Sequence, residues 1–263
     1  MELVVNGRTA YVYTGGKRLD PKLPAVVFVH GAQNDHSVWI LQSRYLAHHG
    51  HAVLAVDLPG HGRSAGPALE SVEAMADWLV ALLDAAEVER AALVGHSMGS
   101  LIALETASRF ASRVAKIALV GTAFPMKVGD ELLTATREDE PGAIDMINIW
   151  SHSGYAQKPS NPGPGFWVVG QNKRLMERMD PGVLHTDFAA CNAYANGLAA
   201  AASIECPALF VLGRRDAMTP FKAASALRQA MPKAQLAEVP ASGHALMAEA
   251  PDAVLDALRA FLR

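Results

Sequence analysis

The stretch Ala91-Ala-Leu-Val-Gly95-His96-Ser97-Met98-Gly99 decides the reading of this chain. The apolar run 91–94 fits a strand buried on both faces, and the pattern of Met98–Arg109 behind it fits a helix. A G-x-S-x-G run between a strand and a helix is a nucleophile elbow. The turn is so sharp that side chains two residues either side of the serine would collide. Glycine fits both places, and the serine backbone itself is strained. The Ser97 hydroxyl is thereby lifted above the C-terminal edge of a sheet, at a helix N-terminus that favours developing negative charge.

Outward from the elbow, the same rhythm repeats. Residues 26–29, 52–56, 117–120 and 208–212 are short apolar runs that read as buried strands. Gln235–Val239 is strand-like. Helical patterns cover 38–49, 72–86, 222–231 and Pro251–Leu262, and Ser71 is a suitable N-cap for the second. Residues 2–5 and 9–13, separated by Asn6-Gly7, read as a hairpin at the sheet edge. Alternating strand and helix predicts an α/β architecture with a mostly parallel central sheet flanked by helices.

One region breaks the alternation. Between residues 122 and 203 no strand is evident, and helical patterns occur near 129–136, 142–150, 171–179 and 184–202. Lys158-Pro-Ser-Asn-Pro-Gly-Pro-Gly165 is a loop by composition. The simplest organisation is one α/β core, residues 1–121 and 204–263, with a helical insert at 122–203.

The chain has 263 residues, 51% apolar and 19% charged, and a net charge of −3. This is enough chain to bury a substantial core and too apolar for a disordered segment. The near-neutral charge gives no electrostatic footprint for nucleic acid. No run of about eighteen apolar residues marks a membrane span. The opening Met1-Glu-Leu-Val-Val-Asn-Gly-Arg8 lacks the pattern of a signal peptide. Two cysteines, Cys191 and Cys206, are too few for a disulfide framework or a cysteine-based zinc site. A cytoplasmic, reduced protein with a small-molecule substrate is expected; composition leaves its oligomeric state open.

A serine hydroxyl needs a base and an orienting carboxylate. Among ten histidines, His244 follows a strand-like run and sits in the loop Ser242-Gly243-His244 before the last helix. Asp216 lies just past the run 208–212, in Gly213-Arg-Arg-Asp216. The order Ser97, Asp216, His244 is nucleophile, acid, base, the order used on this kind of sheet. Asp57 precedes Ser97 and breaks that order; Glu249 reads as a supporting or helix-surface group. Two backbone N–H groups should receive an oxyanion: Met98, after the nucleophile, and Ala32, in the loop His30-Gly31-Ala32-Gln33, with Gln33 as the fallback. His30 and His61 read as hydrogen-bonded framework, and His48, His49 and His51 as helix-end groups. No metal-ligand spacing and no phosphate loop occurs, so neither metal nor cofactor is expected.

His30-Gly31, Asp57-Leu-Pro-Gly-His-Gly-Arg-Ser64, Gly95-His-Ser-Met-Gly99, Gly213-Arg-Arg-Asp216 and Gly243-His244 together resemble the α/β-hydrolase family. The resemblance runs from about residue 26 to 262, apart from the insert. It implies the α/β-hydrolase fold, Ser97 as nucleophile, His244 as base, Asp216 as acid, and Ala32 with Met98 as oxyanion donors. It also implies that 122–203 is a helical cap. Ser97 stands where dehalogenases and epoxide hydrolases of this family carry an aspartate, which argues against both. Ser100 stands where many relatives have a second glycine.

The resemblance leaves the substrate open. The insert is rich in large apolar groups, and Phe124, Met126, Trp150 and Trp167 are candidates to line a pocket under it. Lys127, Arg137, Lys173 and Arg174 are its candidate cations, more simply read as surface charges. The reading is a serine hydrolase for carboxylic esters of small or medium molecules, acting through an acyl-enzyme. The alternatives are a thioesterase, a carbon–carbon bond hydrolase for a diketone acid, which needs a cation for the substrate carboxylate, and a non-catalytic ligand-binding receptor.

Overall fold

A computed structural model of the protein describes residues 1–157 and 167–263. The expected loop at 158–165 and Phe166 lie outside the described residues. The strands are β1 (Glu2–Val5), β2 (Arg8–Tyr13), β3 (Ala25–Val29), β4 (Ala52–Val56), β5 (Ala91–His96), β6 (Val114–Val120), β7 (Ala208–Gly213) and β8 (Gln235–Val239). They form one sheet in the order β1-β2-β4-β3-β5-β6-β7-β8. From β4 to β8 every pairing is parallel, while β1 and β2 form an antiparallel hairpin joined antiparallel to β4. The hairpin turns on Asn6 and Gly7, with φ of 50° and 78°, as a two-residue turn with both centres left-handed requires.

The helices in chain order are α1 (Ile40–His48), α2 (Val72–Ala85), α3 (Met98–Arg109), α4 (Asp130–Glu138), α5 (Glu140–Ser151), α6 (Val168–Met176), α7 (Val183–Ala193), α8 (Gly197–Ala202), α9 (Ser225–Ala230), α10 (Leu246–Glu249) and α11 (Pro251–Leu262). The continuous apolar strands are buried on both faces because successive side chains point opposite ways. In β3, Ala25, Val27 and Val29 join a core with residues of α2, α3 and α9. Val26 and Phe28 join a second core with Trp39 and residues of α1 and α11. Ser71 caps α2 as its sequence indicates, accepting the Ala74 N–H at 3.1 Å.

Five helices, α4 to α8, separate β6 from β7, with no strand among the described residues between them. Leu132, Ile144, Ile147, Met176, Leu184 and Phe188 give this segment its own small core. The single helix expected at 184–202 is instead two helices, α7 and α8. Tyr194 takes an extended backbone, φ −62° and ψ 118°. Its hydroxyl and the Asn196 amide donate to Glu105 Oε2 on α3, at 2.7 and 2.9 Å. A buried carboxylate without such donors is strongly unfavourable, so satisfying Glu105 overrides the helix propensity of the sequence. Beyond that break α8 packs on α3 and α9, and Ala200 and Ala201 enter the main core. Among the described residues no helix is long and apolar enough to cross a membrane.

Candidate active site

The elbow has the geometry its glycines predict. A Cβ on Gly95 would stand 2.0 Å from Gly99 O, and one on Gly99 would stand 2.4 Å from Val29 O. Between them Ser97 adopts φ 52°, ψ −119°, a conformation that a residue with a side chain holds only when its surroundings enforce it. They do so here: Ser97 N donates to Val120 O at 3.0 Å, and Ser100 N donates to Ser97 O at 2.8 Å. The Ser100 hydroxyl lies 2.5 Å from Ser97 O and 2.8 Å from Thr122 Oγ1, so the residue in place of the second glycine braces the turn.

His244 and Asp216 are brought together at 2.7 Å, Nδ1 to Oδ2, with both side chains buried. A carboxylate accepts and does not donate, so Nδ1 carries a proton, and in the neutral ring the lone pair falls on Nε2. The Asp216 oxygens are otherwise filled. Oδ1 accepts the N–H groups of Met218 and Thr219 at 2.9 and 2.7 Å, and the Thr219 hydroxyl lies 2.7 Å from Oδ2. Burial alone would raise the Asp216 pKa; the adjoining imidazole and these donors outweigh it and hold it below the usual carboxylate value of 3.8. Thr219 also reaches His244 Nδ1 at 3.0 Å and Gly121 O at 3.0 Å. Sequence reading gave Thr219 no role; the spacing Asp216-x-x-Thr219, a turn signature, was the available signal.

The His244 loop is anchored to the end of α5. Ser151 O accepts His244 N at 2.7 Å and Ala245 N at 3.0 Å. Glu249 Oε1 accepts Gly243 N and Oε2 accepts Ser153 N, both at 3.0 Å. Glu249, set aside as a rival acid, therefore serves backbone donors. Asp57, the other rival, pairs with His36: its Oδ1 lies 2.7 Å from both His36 N and His36 Nδ1, and Oδ2 accepts Arg63 N at 2.9 Å.

Ser97 and His244 share the wall of a cavity of about 140 Å³. The N–H of Ala32, on the same wall, donates to no backbone group among the described residues. Met98 N–H is the first of α3, where a helix has no internal partner for it. The fallback donor is already engaged: Gln33 N donates to Asp187 Oδ2 at 2.8 Å.

Much of the wall comes from residues sequence reading did not select, among them Ile40, Leu41, Ile147 and Leu175; Met176 and Phe188, two of the insert's large apolar groups, line it as well. The four selected candidates lie elsewhere, which corrects that expectation. Phe124 packs edge-on against Tyr194 at 5.9 Å, and Met126 is in the main core. Trp150, on α5, and Trp167, just before α6, are 40% and 64% exposed and are not among the described lining residues. No lysine, arginine, aspartate or glutamate is among the described lining residues. The candidate cations are engaged away from it: Lys127 with Asn192 O, Arg137 with His185, Lys173 with Asp145, and Arg174 with Glu177. His152 also lines the cavity; its Nδ1 faces Asn148 O at 2.9 Å, its Nε2 has no partner among the described residues, and burial lowers its pKa.

The four loop histidines converge in two pairs. His96 and His244 have ring centroids 4.6 Å apart, His30 and His61 4.9 Å. Burial lowers the pKa of His30 and of His96 to about 3. His30 Nε2 accepts Leu58 N at 3.1 Å and its Nδ1 faces Gly31 O, as a neutral framework ring should. His61 differs, since Nδ1 faces Pro59 O at 3.0 Å and Nε2 faces Asp187 Oδ2 at 2.9 Å. Asp35, His36 and Asp57 could each turn a ligand atom to one metal ion, yet Asp57 is bonded as above and Asp35 Oδ1 accepts Ser37 N at 2.8 Å.

Comparisons with known proteins agree with this architecture. The chain is 33% identical over 232 residues, 84% of its length and 87% of the relative's, to a pimeloyl-[acyl-carrier protein] methyl ester esterase from Chromobacterium violaceum. It is 38% identical over 100 residues to the dihydrolipoyllysine-residue acetyltransferase component of the acetoin cleaving system of Pseudomonas putida, spanning 26% of that protein. The solved structure of an enol-lactonase from Burkholderia xenovorans superposes with a TM-score of 0.87 at 25% identity, covering 100% of this chain and 99% of that one. The model of the "Alpha/beta hydrolase family" matches residues 26–257. This chain belongs to the alpha/beta hydrolase family.

Proposed function

We propose that the protein is a serine hydrolase for uncharged carboxylic esters of small or medium size. One observation carries the reading: Ser97 and His244 line one cavity with no charged side chain among its described lining residues, and the other nitrogen of that imidazole is tied to Asp216. His244 Nε2 takes the Ser97 Oγ proton as Oγ attacks the ester carbonyl. The negative charge moves to the carbonyl oxygen, where the Ala32 and Met98 N–H groups receive it; such a donor is typically worth ~3–4 kcal/mol of transition-state stabilisation. The imidazolium, stabilised by ionised Asp216, protonates the leaving alkoxide. Water then gives its proton to Nε2 and attacks the acyl-enzyme; carboxylic acid leaves and Ser97 recovers its proton. Residues 122–203 act as the cap that supplies the apolar far wall.

The absence of charge among the described lining residues favours esters over a diketone acid, whose buried carboxylate would find no cation there. His152 Nε2, a buried acceptor without a donor, suits a hydroxyl or amide N–H on the substrate. The related methyl ester esterase and enol-lactonase support an ester or lactone carbonyl as the electrophile. In the test, an activated aryl ester is turned over and an organophosphonate labels Ser97. Ser97→Ala loses turnover roughly a million-fold and takes no label. A folded Ser97→Ala variant with near wild-type turnover would refute the proposal, and an unlabelled, inactive wild type would favour a binding protein.

A further inference from the structure

Helix α7 carries a carboxylate that the proposed chemistry does not use. Asp187 is fully buried, as is the His61 ring it faces at 2.9 Å. The other His61 nitrogen faces Pro59 O, another pure acceptor, so both nitrogens donate and the ring is an imidazolium. Burial opposes that charge; the Asp187 carboxylate, by attraction and hydrogen bond, outweighs it and raises the His61 pKa. Such a buried pair is weak grounds for stability. Asp187 Oδ1 has no hydrogen-bond partner among the described residues.

The pair acts on the turn after β3. Asp187 Oδ2, the oxygen that meets His61, also accepts the Gln33 N–H at 2.8 Å. Gln33 is held at φ 55°, a left-handed conformation that is unfavourable for a side-chain-bearing residue. Its amide donates to Glu140 Oε1 at 3.1 Å and Met176 O at 3.2 Å. Three bonds from the insert thus hold the residue next to Ala32. We propose that Asp187 is a positioning residue: it captures the Gln33 N–H and so leaves Ala32 N–H as the donor that faces an acyl oxygen at Ser97. The role rests on the ester-hydrolase reading above.

A positioned oxyanion donor acts in the transition state, so its loss lowers kcat and leaves KM in place. Asp187→Ala and Asp187→Asn are compared with wild type by kcat and KM on an activated aryl ester, by the rate of organophosphonate labelling, and by thermal unfolding. Asp187→Ala is expected to lose about tenfold to a hundredfold in kcat, with KM within about twofold and labelling slowed in parallel. Asp187→Asn, which keeps an acceptor for Gln33 N–H, recovers most of that loss. Unchanged kcat in folded Asp187→Ala overturns the inference, as does a rise in KM alone. If Asp187→Ala does not fold, Asp187→Ser, whose shorter side chain cannot reach the Gln33 N–H, carries the test: lowered kcat at constant KM supports it and unchanged kcat overturns it. A wild type that neither turns over the ester nor takes the label defeats the ester-hydrolase reading itself, which separates the two failures.

Discussion

Among the described residues two imidazole–carboxylate pairs are buried on both sides, His244 with Asp216 at 2.7 Å and His61 with Asp187 at 2.9 Å. Distance and burial hardly tell them apart. The second nitrogen does. His61 Nδ1 is committed to Pro59 O, while His244 stands on the cavity wall beside Ser97. A carboxylate makes an imidazole better oriented and more basic, but a ring serves as base only through a nitrogen with a free lone pair. In the proposed mechanism the same pairing therefore yields a base in one place and a structural tie in the other.

The sharpest way to break the comparison is to remove each ring. His244→Ala is expected to lower kcat on an activated ester roughly a million-fold, since the members of such a unit fail together. Asp216→Asn keeps the shape but lets the ring take the wrong tautomer, and a loss of about ten-thousand-fold in kcat is expected. Equal kcat values for Asp216→Asn and wild type would erase the distinction. His61→Leu should act chiefly on stability, lowering the unfolding free energy by about 3–5 kcal/mol in urea, because it strands a buried charge on Asp187; its kcat should fall no further than that of Asp187→Ala.

The mildest test is pH. With its folded-state pKa raised above the ordinary 6.5, His61 contributes stability that is complete below 6.5 and lost as pH rises through the raised value. The groups around that ring are Asp187, Asp57 and the His30 ring. The urea midpoint of wild type should therefore fall from pH 6.5 to 9 by more than that of His61→Leu; parallel curves would assign the ring no charge. His30 and His96 work in the opposite direction. Their pKa values near 3 mean the unfolded chain binds protons first, so stability should decline as pH drops from 6.5 toward 3, by on the order of a few kcal/mol.

The fold was legible because its signals are local and periodic. Continuous apolar runs and the Gly95–Gly99 turn mark the strands of a mostly parallel sheet and its sharp turn, and β3 to β7 with α3 fall where they point. Chain order singled out Ser97, Asp216 and His244 as candidates, and the structure brings His244 and Asp216 within 2.7 Å of each other. The insert was not. Tyr194 and Asn196 break a helix for the sake of Glu105, 89 and 91 residues earlier, and no window of sequence holds that demand. Trp150 and Trp167 drew attention by size, yet size does not say which side of a helix faces the cavity. Asp187 gave a faint signal, an acid in the apolar run Val183-Leu-His-Thr-Asp187-Phe-Ala-Ala-Cys191. Its partners lie 126 and 154 residues away.

The Ser151 carbonyl and the Glu249 carboxylate tie α5 to the loop that bears His244. That stitching sets a mechanical limit. In the proposed mechanism, a flap that swung α5 outward would draw His244 away from Ser97, so opening on that side and loss of the base would be one event. Ile40 and Leu41, on the wall of the same cavity, are 37% and 53% exposed and offer a way in that leaves those ties intact.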